Sequence, residues 1–193
     1  MSSRLLIISG TSGVGKSTMS AKLASSLGFS KTASTDTVRE VLRTQFSALD
    51  FPELHRSSFE SAGGSVIEDW KETVLVLSEG VDSVIVRARE RSVDLILEGV
   101  HYIPNKEIID SWRESGGLAT GVVLYVTSEE RHRGMIANRE KHNGKKVDHY
   151  LGNLSRIREI QEEMVACGSM SGWLLIDPTR EIDAEGLIGK SLS

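Results

Sequence analysis

Short apolar runs alternate with stretches of helical spacing along the chain. Leu5–Ile8 is an apolar run closed by Ser9-Gly10, and it reads as a buried strand. Lys16–Leu27 follows with apolar positions at Met19, Leu23 and Leu27, then meets Gly28, a residue suited to a helix C-terminus. Lys31–Ser34 reads as a second short strand. Thr35 or Asp36 is then expected to cap a helix with Val38, Val41, Leu42 and Phe46 on one side. Residues 48–65 are irregular, with Pro52 and the pair Gly63-Gly64. From Val66 the helical spacing resumes through Ile67, Trp70, Val74, Leu77, Val81, Val84, Ile85 and Ala88, a face long enough to cover one side of a sheet.

The second half repeats the alternation. Val93–Leu97 is strand-like and ends at Glu98-Gly99, and a helix is expected over Asn105–Glu114. Ala119–Thr127 is the strongest strand pattern. Thr127-x-x-Glu130 then resembles a capping box that opens a basic helix. Residues 148–166 have helical spacing, Trp173–Ile176 reads as a last strand stopped by Asp177-Pro178, and a short helix closes the chain. Strands separated by helices, each strand a nearly continuous apolar run, predict an α/β fold around a parallel sheet covered on both faces. No repeat, low-complexity tract or linker divides the chain, so residues 1–193 are expected to form one domain.

Composition narrows the class. The 193 residues include a single cysteine, Cys167, which excludes an intramolecular disulfide framework and fits a reducing, cytoplasmic setting. The formal charge of −4 and pI near 5.8 argue against a duplex-DNA binder. No apolar run reaches the roughly 20 residues of a membrane span, and Leu5–Ile8 is too short for a secretory signal. Neither a nucleic acid nor a membrane is therefore expected as a partner.

The chemistry begins where the first strand ends. Gly10-Thr-Ser-Gly-Val-Gly-Lys-Ser-Thr18 fits G-x-x-x-x-G-K-S/T and stands between a strand and a helix, as phosphate binding requires. Gly10, Ser12, Gly13, Val14, Gly15, Lys16, Ser17 and Thr18 are the expected nucleotide contacts. Glycines let the backbone wrap an anion, and successive N–H groups at a helix N-terminus hold it. Lys16 is expected on the β- and γ-phosphates and the Ser17 hydroxyl on Mg²⁺. Base-reading and switch motifs of GTPases are absent, and the length suits a small-molecule kinase better than a motor or transporter ATPase.

Such a kinase needs an acceptor pocket, an orienting carboxylate and a basic lid. Asp36 follows the second strand and would face the γ-phosphate, there to accept a hydroxyl proton or hold Mg²⁺ through water. Arg39, three residues on, suits an acidic substrate group, and Arg43 lies one turn further. Glu98 ends the third strand in the position of a carboxylate that orients Mg²⁺ through water. His101 and Tyr102 follow it within reach of an acceptor. The expected lid is 129–146, with Arg131, Arg133, Arg139, Lys141, Lys145 and Lys146 and a turn at Asn143-Gly144. Arg133 and Arg139 are the expected catalytic arginines, placed to stabilise transition-state charge.

Ser34-Thr-Asp-Thr-Val-Arg-Glu-Val41, Leu54-His-Arg-Ser-Ser-Phe-Glu60, Leu97-Glu-Gly-Val-His101, Tyr150-Leu and Ile157-Arg-Glu-Ile-Gln161, with the phosphate loop, resemble the archaeal 2-phosphoglycerate kinases and their relatives. The resemblance implies a three-layer P-loop fold with strand order 2-3-1-4-5 and a helical lid. It implies ATP- and Mg²⁺-dependent phosphoryl transfer to a small acidic hydroxyl compound; the family reaction converts 2-phosphoglycerate to 2,3-bisphosphoglycerate. Lys16 and Ser17 would hold phosphate and metal, Asp36 would face the acceptor hydroxyl, and Arg39 would meet an acidic group. His55, Ser57, Ser58 and His101 would line the acceptor pocket within an acceptor region of about 36–65. Asp177, after the last strand, stands where such kinases meet adenine. Archaeal members carry an additional N-terminal regulatory domain, and a first strand at Leu5 is expected to leave no room for one.

The function expected from these readings is an ATP-dependent kinase for a small anionic acceptor, most simply 2-phosphoglycerate, working as monomer or homodimer. A kinase for another hydroxyl acceptor (a nucleoside, sugar acid, amino acid or antibiotic) and a non-catalytic ATP-binding switch stay open.

Overall fold

A computed structural model describes residues 2–143 and 147–192. Arg4–Ser9 (β1), Lys31–Ser34 (β2), Leu95–Gly99 (β3), Leu118–Leu124 (β4) and Leu174–Ile176 (β5) form one sheet in the order β2-β3-β1-β4-β5, all pairings parallel. The central strand β1 shows why both faces must be covered. Leu5 and Ile7 point into a core built with Trp70, Leu77, Trp112 and Met164, while Leu6 and Ile8 point into a second core with Val14, Leu23 and Ile188. Strand side chains alternate between faces, so an uninterrupted apolar run fills two cores at once.

The helices covering these faces are Lys16–Leu27 (α1), Thr35–Arg43 (α2), Pro52–His55 (α3), Val66–Leu75 (α4), Ser78–Glu90 (α5), Glu107–Glu114 (α6), Glu129–Asn143 (α7), Val147–Gly152 (α8), Leu154–Met170 (α9) and Ala184–Ser191 (α10). None of them is long and apolar enough to cross a membrane. The sheet register sets the site: Ile8 lies opposite Glu98, and Ser34 lies opposite Glu98 from the other side. The loops that leave β1, β2 and β3 therefore emerge at one level, at the carboxyl ends of parallel strands, where α/β sheets bind ligands.

Several local expectations are corrected. Ser34, rather than Thr35 or Asp36, caps α2: its Oγ accepts from the Asp36 N–H at 3.2 Å. Val41 is exposed within that helix, and the helix ends at Arg43, so Phe46 leaves the predicted face to pack edge-on against Phe51. The long helical stretch from Val66 is two helices broken at Val76-Leu77, and the first is opened by a capping box between Ser65 and Glu68. Thr127 and Glu130 form no such box. Ser128 Oγ accepts from the Arg131 N–H, while the Thr127 N–H and hydroxyl donate to Asp177. The predicted helix over 148–166 is likewise two, parted at Asn153.

Candidate active site

The turn from β1 into α1 is made by glycines in the left-handed region, Gly13 at φ 84° and Gly15 at φ 91°. A Cβ on Gly13 would lie 2.4 Å from Ile136 Cγ1, so the position needs glycine for space as well as for conformation. The amides of Gly13–Ser17 surround the N-terminus of a 12-residue helix, whose dipole adds to their pull on an anion. Lys16 Nζ donates to the Thr11 carbonyl at 2.8 Å, which folds the side chain back over the loop. Burial lowers the pKa of its ammonium, and nearby Glu98 and Asp36 oppose that shift. Ser17 Oγ donates to Glu98 Oε1 at 3.0 Å. A glycine cradle with an inward lysine fits nucleotide phosphates. A hydroxyl beside a carboxylate fits a hard divalent cation.

Next to this loop lies a cleft of about 300 Å³ that brings together Ser12, Lys16, Ser17, Asp36, Arg39, Ser57, Ser58, Glu98, His101, Arg139 and Tyr150, with Phe59 in its wall. The Asp36 carboxylate is solvent-facing, with His101 Nδ1 3.5 Å from its Oδ1. His101 is buried, and its Nδ1 also lies 3.4 Å from Thr35 Oγ1. Burial drives its pKa down to about 4, Asp36 opposes this, and the cations Arg39 and Lys16 add to it, so the imidazole is neutral at pH 7.

The side of the cleft that carries Ser57 and Ser58 is held by main-chain contacts. Arg39 Nε donates to the Leu54 carbonyl at 2.8 Å and its Nη2 to the Arg56 carbonyl. From α9, Arg156 Nε donates to the Phe59 carbonyl at 2.7 Å and its Nη2 to Asp69 at 2.6 Å. Asp69, buried in α4, also accepts the N–H groups of Ala62 and Gly64. Two arginines thus clasp the loop carrying Ser57 and Ser58 from opposite ends.

A further cavity of about 440 Å³ flanks the phosphate loop, between Val14, Thr18 and Met135 on one side and Pro178, Glu181 and Ile182 on the other. This is the segment after β5, and it offers a partly apolar surface of the kind a base stacks on. The Asp177 carboxylate is occupied: it accepts from Thr127 N–H and Oγ1 and from Thr179 N–H and Oγ1. Burial alone would raise its pKa, but the bonds from Thr179 and Thr127 outweigh it and hold the group at about 2.

The AAA domain family model matches residues 6–164. The chain belongs to that family. It is 29% identical over 169 residues to the 2-phosphoglycerate kinase of Pyrococcus furiosus, covering 83% of this chain and 54% of that protein. It is 32% identical over 174 residues to the 2-phosphoglycerate kinase of Methanococcus vannielii, covering 83% and 55%. The chain spans about half the length of the curated relatives it matches. Among solved structures it resembles the shikimate kinases of Bacteroides thetaiotaomicron (TM-score 0.54, 16% identity, 100% of this chain and 95% of that chain) and Aquifex aeolicus (TM-score 0.51, 16% identity, 97% and 95%). The fold is that of the P-loop kinases.

Within this AAA-domain chain, several expected site residues lie elsewhere. Arg133 is on the far side of α7, half exposed and paired with Glu129 at 3.4 Å, while Arg139, six residues along, borders the cleft. Helical rotation over six residues separates the two directions. His55 turns from the cleft, its Nε2 2.9 Å from the Phe46 carbonyl. Tyr102 is buried and stacked near Trp173. Arg43 pairs with Glu40. Asp177 braces the loop after β4, its carboxylate accepting from Thr127 and Thr179. Gly144, Lys145 and Lys146, with the side chains of Lys141 and Asn143, lie outside the described residues. Phe59 and Tyr150 lie in the segments that carry the family resemblance, but neither motif nor spacing marks His132 or the Asp69–Arg156 pair. The hint the sequence offers is that His132 and Ile136 fall one turn apart in a helix with few large apolar residues.

Proposed function

We propose that this chain is an ATP-dependent kinase. It would transfer the γ-phosphoryl group to a hydroxyl of a small anionic metabolite, 2-phosphoglycerate or a compound of similar size and charge. The observation that carries the reading is the single cleft in which the exposed Asp36 carboxylate faces the phosphate loop across Lys16, Ser17 and Glu98, with Arg39 and Arg139 on its walls. The likeness to 2-phosphoglycerate kinases supports an acidic acceptor. The acceptor region 36–65 and the lid 129–146 are then parts of one catalytic unit, working in the cytoplasm.

Each residue has a task in this reading. The loop amides and Lys16 bind the phosphates and neutralise their charge. Ser17 and Glu98 would hold Mg²⁺, which supplies charge neutralisation between the phosphates when bound. Asp36 orients the acceptor hydroxyl and takes its proton as the oxygen attacks. His101, neutral and against Asp36, steadies the carboxylate without cancelling its charge. Arg39 fixes the acceptor loop and presents positive charge to an acidic group. Arg139 meets charge that develops on the transferring group.

ADP release with purified protein, ATP and Mg²⁺ tests this across 2-phosphoglycerate, sugar acids, shikimate and nucleosides. Turnover with 2-phosphoglycerate far above the nucleosides is expected, and Asp36→Asn should lower it by at least about a hundredfold with ATP affinity unchanged. Preferred turnover of a neutral nucleoside overturns the anionic acceptor. ATP binding with no turnover of any acceptor overturns the kinase.

A further inference from the structure

The first turns of α7 are not a solvated arm. His132 and Ile136, one turn apart, are fully buried against the phosphate loop. His132 Nε2 lies 2.8 Å from the carbonyl oxygen of Ser12. A carbonyl only accepts, so the imidazole proton sits on Nε2, and Nδ1, buried with no partner among the described residues, carries the lone pair. Burial pushes the His132 pKa down, which favours this singly protonated form.

The carbonyl belongs to the Ser12–Gly13 peptide. In a trans peptide the C=O and N–H groups point in opposite directions, so holding the Ser12 oxygen on α7 turns the Gly13 N–H away from α7. Gly13, at φ 84°, has no Cβ to resist rotation of that unit. The glycine that permits the loop also permits its peptide to flip, and a flip would exchange a donor for an oxygen on the anion-binding side. Ile136 packs where a Gly13 Cβ would stand, so the same helix fills the space that the glycine leaves. We propose that His132 is a positioning residue that locks the Ser12–Gly13 peptide of the phosphate loop and thereby sets the affinity for nucleotide. The inference rests on the nucleotide-binding reading of that loop, but the lock itself is measurable without a nucleotide.

The test uses the full chain with His132→Gln, His132→Asn and His132→Met. A glutamine amide reaches the place of Nε2, an asparagine amide falls short of it, and methionine fills the volume with no donor. ATP–Mg²⁺ affinity is measured by calorimetry, amide hydrogen exchange of Gly13–Ser17 in the free protein by mass spectrometry or NMR, and folding by thermal midpoint. His132→Met and His132→Asn should weaken ATP binding about tenfold and speed exchange of the loop amides, while His132→Gln stays within about threefold of wild type. Wild-type affinity and slow exchange in His132→Met overturn the proposal, as does a His132→Gln loss equal to that of His132→Met. Should His132→Met fail to fold, the Gln–Asn difference decides in the same way. A wild type that binds no ATP overturns the nucleotide reading and the affinity claim. Exchange that still separates Gln from Met in that case upholds the lock.

Discussion

Ser17 Oγ donates a hydrogen bond to Glu98 Oε1 at 3.0 Å, joining the start of α1 to the end of β3. The residues are 81 positions apart and meet because β1 and β3 pair in parallel with Ile8 opposite Glu98. Glu98→Gln keeps an acceptor for the Ser17 hydroxyl and removes the charge. A titration of Mg²⁺ in the ADP-release assay should show a raised metal requirement and a drop of about 10–100-fold in activity, while the thermal midpoint stays near wild type.

Two α7 arginines of equal promise in the sequence separate in the structure. Arg139→Ala should lower turnover by about a hundredfold or more, because its charge borders the cleft in which the proposed transfer would build up phosphoryl charge. Arg133→Ala breaks an exposed pair with Glu129 and should leave turnover within about twofold of wild type. Steady-state kinetics of the two variants side by side reads the difference, and equal losses would place Arg133 in the site as well.

The Asp69–Arg156 pair fixes the loop that carries Ser57 and Ser58, the acceptor side in the proposed reaction. Arg156→Met leaves the Asp69 carboxylate buried without its cation and should destabilise the fold by about 3 kcal/mol in urea titration. Because Arg156 also holds the Phe59 carbonyl, KM for the acceptor should rise more than KM for ATP. Equal changes in both constants would show that the clasp serves the whole fold instead of the acceptor side.

Acid should weaken the fold through its buried histidines. The His101 imidazole is pushed down to about 4 by burial, and His132 is lowered by the same cause. In the unfolded chain each takes up a proton near pH 6.5, which the folded chain refuses until lower pH. Stability therefore falls as pH drops from about 6.5 toward 4, by roughly 1 kcal/mol per pH unit for His101, and that contribution levels off below its folded pKa. Urea unfolding at several pH values in this window checks the sign, and His101→Gln should flatten the slope.

Much of the fold was legible because it depends on local rules. The bounds of α1 and β2 follow from the spacing at Met19, Leu23 and Leu27, from Gly28, and from the short run Lys31–Ser34, and the structure places them at Lys16–Leu27 and Lys31–Ser34. The capping errors share one cause. Thr127 had the right neighbours for a capping box, but a carboxylate 50 residues away binds its N–H and hydroxyl instead. Asp177 was read by its place after β5, and only the folded chain shows its oxygens taken up by Thr127 and Thr179. The long helix from Val66 broke where periodicity ran on, since apolar spacing alone does not mark a bend at Val76-Leu77.

By itself the sequence determined the parallel sheet, the phosphate loop and the positions of Lys16 and Ser17 at the start of α1, of Asp36 just after β2 and of Glu98 near the end of β3. Those follow from continuous apolar runs, from a helical period of about 3.6 residues and from the left-handed backbone shapes that glycine adopts without strain. Only tertiary structure decided that Arg139 rather than Arg133 borders the cleft, that His55 and Tyr102 lie outside it, and that His132 binds the phosphate loop. Side-chain direction depends on which face of a helix the rest of the molecule buries. A histidine in a run of charges shows nothing of the carbonyl, 120 residues earlier in the chain, that it will meet.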